Sequence, residues 1–205
     1  FVAHSTVDSV LDDGEKIQYA RTQHITVRRP DGFDATVVGD TMNLHVVYDG
    51  KQLMLHNLNK PCYALMDAPP TIDATLDMLA DEYGIVIPLA DLEFSDPYRA
   101  LTEHLQSDHD LDGGYVADTK CEHIVCRSDT VDWQIWIDSS NLPRKIVITY
   151  RNEPGEPQYT SELSDWNLSA LPPADAFKIA PPANTPRQDL VKLPATQSSE
   201  PASKG

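Results

Sequence analysis

Three Asp-Gly pairs, Asp13-Gly14, Asp31-Gly32 and Asp49-Gly50, stand at an even spacing in the first quarter of the chain. Asp-Gly between apolar runs is a strong hairpin signal, because a type I′ turn needs positive φ at both central residues. Even spacing means strands of similar length, each folding back on the last. The chain therefore opens as an antiparallel meander, which excludes a helix bundle and a parallel α/β sheet. A sheet this long curves, and a curved sheet either hides a core or cradles a ligand.

Alternation supports the meander. The first strand runs from Phe1 to about Leu11, and the second from about Glu15 to Arg29, with Ile17, Tyr19, Ile25 and Val27 in phase. A third is expected from about Ala35 to Tyr48, with Val38, Met42, Leu44, Val46 and Tyr48 on one face. Leu53 and Leu55 mark a fourth, and Cys62 to Met66 a short fifth. Then the period changes. Ala68-Pro69-Pro70 stops the sheet, Thr71 is a good N-cap, and Asp73 suits a first helical turn. Ile72, Leu76, Leu79, Ala80 and Tyr83 form an apolar stripe at helical spacing, and Gly84 fits the residue just past the helix end. Asp96-Pro97 opens a second helix with Tyr98, Leu101 and Leu105 as its apolar side.

Strands resume after Asp112-Gly113: Val116–Ala117, Lys120 to Arg127, Thr130 to Asp138, Lys145 to Arg151, Gln158 to Leu168 and a short Phe177–Ile179. In the stretch from Thr130, Val131, Trp133, Ile135 and Ile137 alternate with Asp132, Gln134, Trp136 and Asp138. The domain is expected to span 1–182. Residues 183–205 lose periodicity, gain Pro and Ser, and read as a flexible tail.

Composition narrows the partners. The 205 residues include 32 Asp and Glu against 16 Lys and Arg, for a formal net charge of −16. Such a surface repels phosphate backbones and anionic headgroups, so nucleic acid is not an expected partner. No apolar run is long enough for a transmembrane segment. The chain starts at Phe1 with no signal peptide in view, as a cleaved leader or a trimmed chain would both leave it. Of three cysteines, Cys121 and Cys126 lie on one strand with Cα atoms about 16 Å apart, beyond disulfide reach. Cys62 could pair with either across the sheet.

Several segments resemble a bacterial family of predicted periplasmic proteins of the DUF2092 type. These are Tyr48-Asp49-Gly50-Lys51, the Ala68-Pro69 to Tyr83-Gly84 helix, and Pro88-Leu89-Ala90-Asp91-Leu92. Most specific is Val131-Asp132-Trp133-Gln134-Ile135-Trp136-Ile137, continuing through Leu142-Pro143-Arg144-Lys145. Pro157-Gln158-Tyr159 and Asp165-Trp166-Asn167 complete the set. That family in turn looks like the lipoprotein carriers and sensors with the LolA-type fold. The resemblance implies a mainly β (α+β) protein: a strongly curved antiparallel sheet, an open half-barrel, with two short helices on its concave face. It also implies the periplasm or cell envelope of a Gram-negative bacterium. Carriers of this type usually have a helix before the first strand, whereas this chain is in strand pattern from Phe1.

Candidate chemistry is sparse. Asp108, Asp110 and Asp112 before Gly113 form the first half of a calcium loop, but the position that should hold Glu holds Thr119. The bland reading is an acidic solvated loop. His45 and His56 could meet across a hairpin, but a zinc site needs three or four convergent ligands. Asp132 and Asp165 could approach each other as paired carboxylates. No nucleophile elbow or phosphate loop is present, and no cofactor is expected. The apolar face is the stronger signal. Leu44, Val46, Trp133, Ile135, Ile146 and Ile148 are expected to line one concave surface, with Leu76, Leu79 and Tyr83 above it. That set reads either as a dry core or as a cleft for an acyl chain, since both use the same residues. The leading function is non-catalytic binding of an apolar ligand, a lipid or lipoprotein acyl chain. An envelope protein-interaction or sensor module with a dry core is the alternative, and a hydrolase-like enzyme the third.

Overall fold

The computed structural model describes residues 1–87, 89–173 and 175–194. Twelve strands form one open sheet: β1 (Val2–Val10), β2 (Lys16–Arg28), β3 (Gly32–Gly39), β4 (Asn43–Tyr48), β5 (Gln52–Asn57), β6 (Cys62–Asp67), β7 (Ser107–Asp110), β8 (Gly114–Val116), β9 (Thr119–Arg127), β10 (Val131–Asp138), β11 (Pro143–Tyr150) and β12 (Gln158–Ser164). Their spatial order is β6-β5-β4-β3-β2-β1-β12-β11-β10-β9-β7, with β8 also paired to β9. Helix α1 (Ile72–Tyr83), a 3-10 turn at Ala90–Leu92 and helix α2 (Pro97–Thr102) come between β6 and β7.

That order fixes the architecture. β6 and β7 are opposite edges of the sheet, so residues 68–106 must cross from one edge to the other. They cross over one face. Ile72, Leu76 and Leu79 of α1 pack on Val46, Tyr48, Leu53 and Leu55. Leu89 and Leu92, with Leu101 and Leu105 beside them, pack on Trp133, Ile135, Ile146 and Ile148. The result is the curved half-barrel that the resemblance implies, its two short helices on the concave side. Each fully buried Leu or Ile in these layers contributes about 1.5–3 kcal/mol.

Local signals behave as expected around the helices. Thr71 Oγ1 accepts from Ala74 N at 3.3 Å. Gly84 takes φ 65°, its N–H reaches Ala80 O at 3.1 Å, and Ile85 N reaches Leu79 O at 2.9 Å. Asp96 caps α2 through Arg99 N at 3.0 Å, with Pro97 next. Tyr98, however, is 77 % exposed. Six residues give α2 under two turns, and only Leu101 on it reaches the core.

The expected third strand is two strands. Gly39-Asp40-Thr41-Met42 turns the chain, and Asp40 Oδ2 accepts from Ala20 N at 2.7 Å. The turn inverts parity: Val37, not Val38, opposes Leu44, and Val38 and Met42 are exposed. A Cβ at Gly39 would sit 2.5 Å from Arg21 Cβ, so this close crossing needs glycine. All three Asp-Gly pairs do lie at turns, but none is type I′. Gly14 and Gly50 have φ near 86° and 88°, while their Asp neighbours and Gly32 stay out of the positive region. Asp49 Oδ1 instead accepts from Lys51 N and Gln52 N, an Asx turn.

Two further differences lie at the C-terminal end. Phe177–Ile179 is not a strand; Phe177 is buried against Gly32, with the Arg28 guanidinium carbon 4.7 Å from its ring. The segment expected to be tail is, up to Leu193, laid along β6 and α1. Tyr63 N donates to Pro186 O at 3.2 Å, Gln188 N to Tyr63 O at 2.8 Å, and Leu193 N to Glu82 O at 2.8 Å. Arg187 Nη2 reaches Leu65 O at 2.7 Å, and Leu190 packs beside the α1 cluster. An edge strand has unpaired backbone groups, and these residues satisfy part of that edge. Residues 195–205 lie outside the described residues. All three cysteines are free thiols.

Two stability outcomes follow from this packing. Trp133 is 7 % exposed on the concave face, while Trp136 on the outer face stacks on His123 at 3.9 Å between ring centroids. Trp133→Ala is expected to cost about 3–5 kcal/mol and Trp136→Ala clearly less, read from denaturant midpoints. Ending the chain at residue 184 removes the β6 and α1 contacts. The melting temperature is expected to fall by about 2–4 °C for each kcal/mol lost, and an unchanged midpoint would show that the segment adds nothing.

Candidate functional site

The nine apolar candidates do not form one cleft. Leu44, Val46, Leu76 and Leu79, with Tyr83 at the margin, belong to the cluster under α1. Trp133, Ile135, Ile146 and Ile148 belong to a second cluster under Leu89 and Leu92. Each cluster joins sheet residues to side chains of the crossing segment. Between them the concave face is polar. Ser5 Oγ lies 2.8 Å from Tyr159 Oη and 3.0 Å from Ser161 Oγ. Gln23 Nε2 donates to Ser5 Oγ at 3.1 Å and to Tyr159 Oη at 3.0 Å. All four residues are buried, so β2, β1 and β12 are locked by a satisfied network where the two apolar clusters part.

The space sequence reasoning missed lies beside this network. A cavity of about 360 Å³ opens between the end of β2, Leu92 and residues 166–172. Its apolar walls include Phe1, Ile25, Val27, Leu92, Trp166 and Leu168, and Thr26, Arg29 and Asn167 are its polar lining. Phe1 and Trp166 stack with centroids 4.4 Å apart, and Trp166 Nε1 donates to Pro143 O at 2.9 Å. Leu168 is 77 % exposed at the mouth. One signal did point here: Trp166 and Asn167 belong to the Asp165-Trp166-Asn167 segment that carries part of the family resemblance.

Arg29 fastens the crossing segment to the sheet. Its Nε donates to Phe94 O at 2.7 Å and its Nη2 to Leu92 O at 2.5 Å. Glu93 sits between those two carbonyls and is 3 % exposed. Burial pushes its carboxyl up to about 7, with the Arg29 cation pulling the other way.

A second cavity, of about 440 Å³, lies outside, between α1 and α2. Its carboxylates are occupied. Asp73 Oδ1 accepts from Ser95 N at 3.0 Å and Ser95 Oγ at 3.1 Å, Asp96 caps α2, and Glu103 pairs with Arg99 at 3.2 Å.

The other candidates are placed as follows. Asp108 and Asp110 lie on strand β7, opposite Cys126 and Ile124, so they are not part of a coiled calcium loop. Asp112 turns at φ 57° and its N–H reaches Asp110 Oδ1 at 3.1 Å. His45 and His56 do oppose each other, but His45 Nε2 is 2.8 Å from Asp34 Oδ2, and that bond raises its pKa. Among the described residues no group of three or more His, Cys, Asp or Glu side chains could hold a metal ion. Asp132 pairs with Arg127 at 2.9 Å and Arg151 at 3.0 Å. Its row on β12 ends at Gln158, seven residues before Asp165, so the two carboxylates do not form a pair. Among the described residues no helix is long and apolar enough to cross a membrane.

No curated protein matches this chain. Several solved structures are similar to it in fold at low identity. MucB is 14 % identical with a TM-score of 0.45, over 93 % of this chain and 59 % of that one. An uncharacterized conserved protein from Thermus thermophilus is 8 % identical with a TM-score of 0.42, over 91 % and 90 %. A LolA superfamily protein from Nitrosomonas europaea is 10 % identical with a TM-score of 0.40, over 87 % and 90 %. This chain thus spans under two thirds of the MucB chain. The model of one family matches residues 1–189, and the chain belongs to that family, the predicted periplasmic proteins of DUF2092.

Proposed function

We propose that this periplasmic protein is a non-catalytic binder of an apolar ligand, a lipid or lipoprotein acyl chain, held in the cavity between β2, Leu92 and residues 166–172. The observation that carries the reading is the cavity itself. About 360 Å³ of space, lined by Phe1, Ile25, Val27, Leu92 and Trp166 together with the polar Thr26, Arg29 and Asn167, has the size of a small-molecule site. The crossing segment supplies a lid. Leu92 forms one wall, and Arg29 is the clasp that holds Leu92 and Phe94 down. The nine residues first expected to touch ligand are instead the platform on which sheet and lid are built. Their burial against the crossing segment favours the second reading, a protein-interaction or sensor module whose concave side is a dry core.

Exchange measurements separate these readings. A lid must open, so amide hydrogens in residues 89–105 are expected to exchange faster than those in β10 and β11. Palmitate or an N-palmitoylated peptide should slow that exchange and raise the melting temperature as its concentration rises. Protection equal to the strands, with no shift from either probe, would leave the dry-core reading in place.

Glu93 makes lid closure depend on pH. In the opened chain its carboxyl titrates near the ordinary 4.5, and in the closed chain near 7. Below pH 4.5 both forms keep the proton and burial carries no ionic cost. Between about 4.5 and 7 the opened form alone releases it, so closure weakens as pH rises. Above about 7 both forms are ionised and the cost is constant, roughly 3 kcal/mol in all. Glu93→Gln should remove this dependence. The difference in opening free energy between variant and wild type, read from exchange of residues 89–94, is expected to grow from pH 4.5 to 7. Parallel pH curves would show that Glu93 stays ionised when buried.

A further inference from the structure

The cavity carries a chemical bias that an apolar ligand alone does not explain. Among its described lining residues Arg29 is the one charged side chain. The chain has twice as many acidic as basic residues, so a wall drawn at random would more often hold a carboxylate. Arg29 spends two N–H groups on the carbonyls of Phe94 and Leu92. A guanidinium has five such donors in a planar fork; the two carbonyls are neutral, and the acid that feels its charge is the buried Glu93. Arg29 lines a cavity whose other members include the Phe1–Trp166 stack, Ile25 and Val27, together with the polar Thr26 and Asn167. Glu93, the acid nearest in sequence to both carbonyls, is buried, and its carboxyl favours the neutral form up to about pH 7. A charged side chain among such walls would fix the orientation of a ligand as well as its class.

We propose that the cavity takes a single-chain amphiphile with an anionic head, a carboxylate or a phosphate monoester, whose head pairs with the Arg29 guanidinium while its chain lies along Phe1, Ile25, Val27 and Trp166. This inference rests on the reading of the cavity as the ligand site and names the ligand chemistry for it. Arginine suits both heads, because its fork makes paired charge-assisted hydrogen bonds to either. The net charge of −16 works against any anion, so a preference for anionic heads would come from the local cation and not from the overall field.

The test is a head-group series on the intact wild-type chain, so it does not depend on any variant folding. Dodecanoate, dodecyl phosphate, dodecanol and dodecyltrimethylammonium are titrated below micelle concentration by calorimetry at pH 6.5 (about where Glu93 holds its proton). Dodecanoate or dodecyl phosphate is expected to bind about tenfold or more tightly than dodecanol, with dodecyltrimethylammonium weakest. The tighter of the two anions assigns the head as a fatty acid or a phosphate monoester. Equal affinity for all four probes, or a preference for the cation, would overturn this inference while leaving the cavity as an apolar-ligand site. Binding of none would overturn that reading as well.

Discussion

The placement of β6 and β7 at opposite edges of the sheet is the constraint on which the rest of this structure depends. The chain leaves the sheet at one edge and must re-enter at the other, so residues 68–106 have to traverse a full face. Covering that face gives the concave side its core, since every apolar side chain there needs a partner and the crossing segment supplies it. The same route makes the segment long and only locally anchored. Its first part is a twelve-residue capped helix with four buried residues. Its later part is a 3-10 turn and a six-residue helix, and no residue of that helix is fully buried. The firm end packs over β3–β5 and the loose end over β9–β12, and the cavity opens beside the loose one.

Arg29 and the polar network stabilise that junction by different means. Ser5, Gln23, Tyr159 and Ser161 form a connected set of hydrogen bonds inside the sheet. A hydrogen-bonded buried network is rigid, and it holds β1, β2 and β12 in one arrangement. Arg29 instead holds backbone carbonyls of the crossing segment from the end of β2, a contact that can break without emptying the core. Placing a buried carboxyl between the two gripped carbonyls sets a releasable clasp beside a group that prefers to be neutral.

Much of the fold was legible before any coordinates. Alternation located most strands, and Thr71, Gly84 and Asp96-Pro97 bounded the helices, because strand period and capping are decided by neighbours within a few residues. The face of Trp133 was legible for the same reason. The errors have equally local causes. A four-residue turn between β3 and β4 kept an apolar rhythm running through Val38, Met42 and Leu44, although it reversed which face each residue takes. Phe177 reads as part of a strand because burial against Gly32 and Arg28 leaves the same apolar mark as pairing does.

The site was far less legible. The nine apolar candidates are buried or half-buried as their pattern suggested, but they are divided between two clusters. The cavity is built from Phe1, Arg29, Leu92 and Trp166, which are separated by tens of residues and meet only because β1, β2 and β12 are neighbours and the crossing segment passes over them. What the sequence determined by itself was the set of strands, the two helices and their caps, the acidic charge and the family. What the tertiary structure alone decided was where space is left unfilled and which charge borders it. Periodicity reports which face a side chain takes, whereas a cavity is a shortfall of volume summed over distant residues, and no local pattern records it.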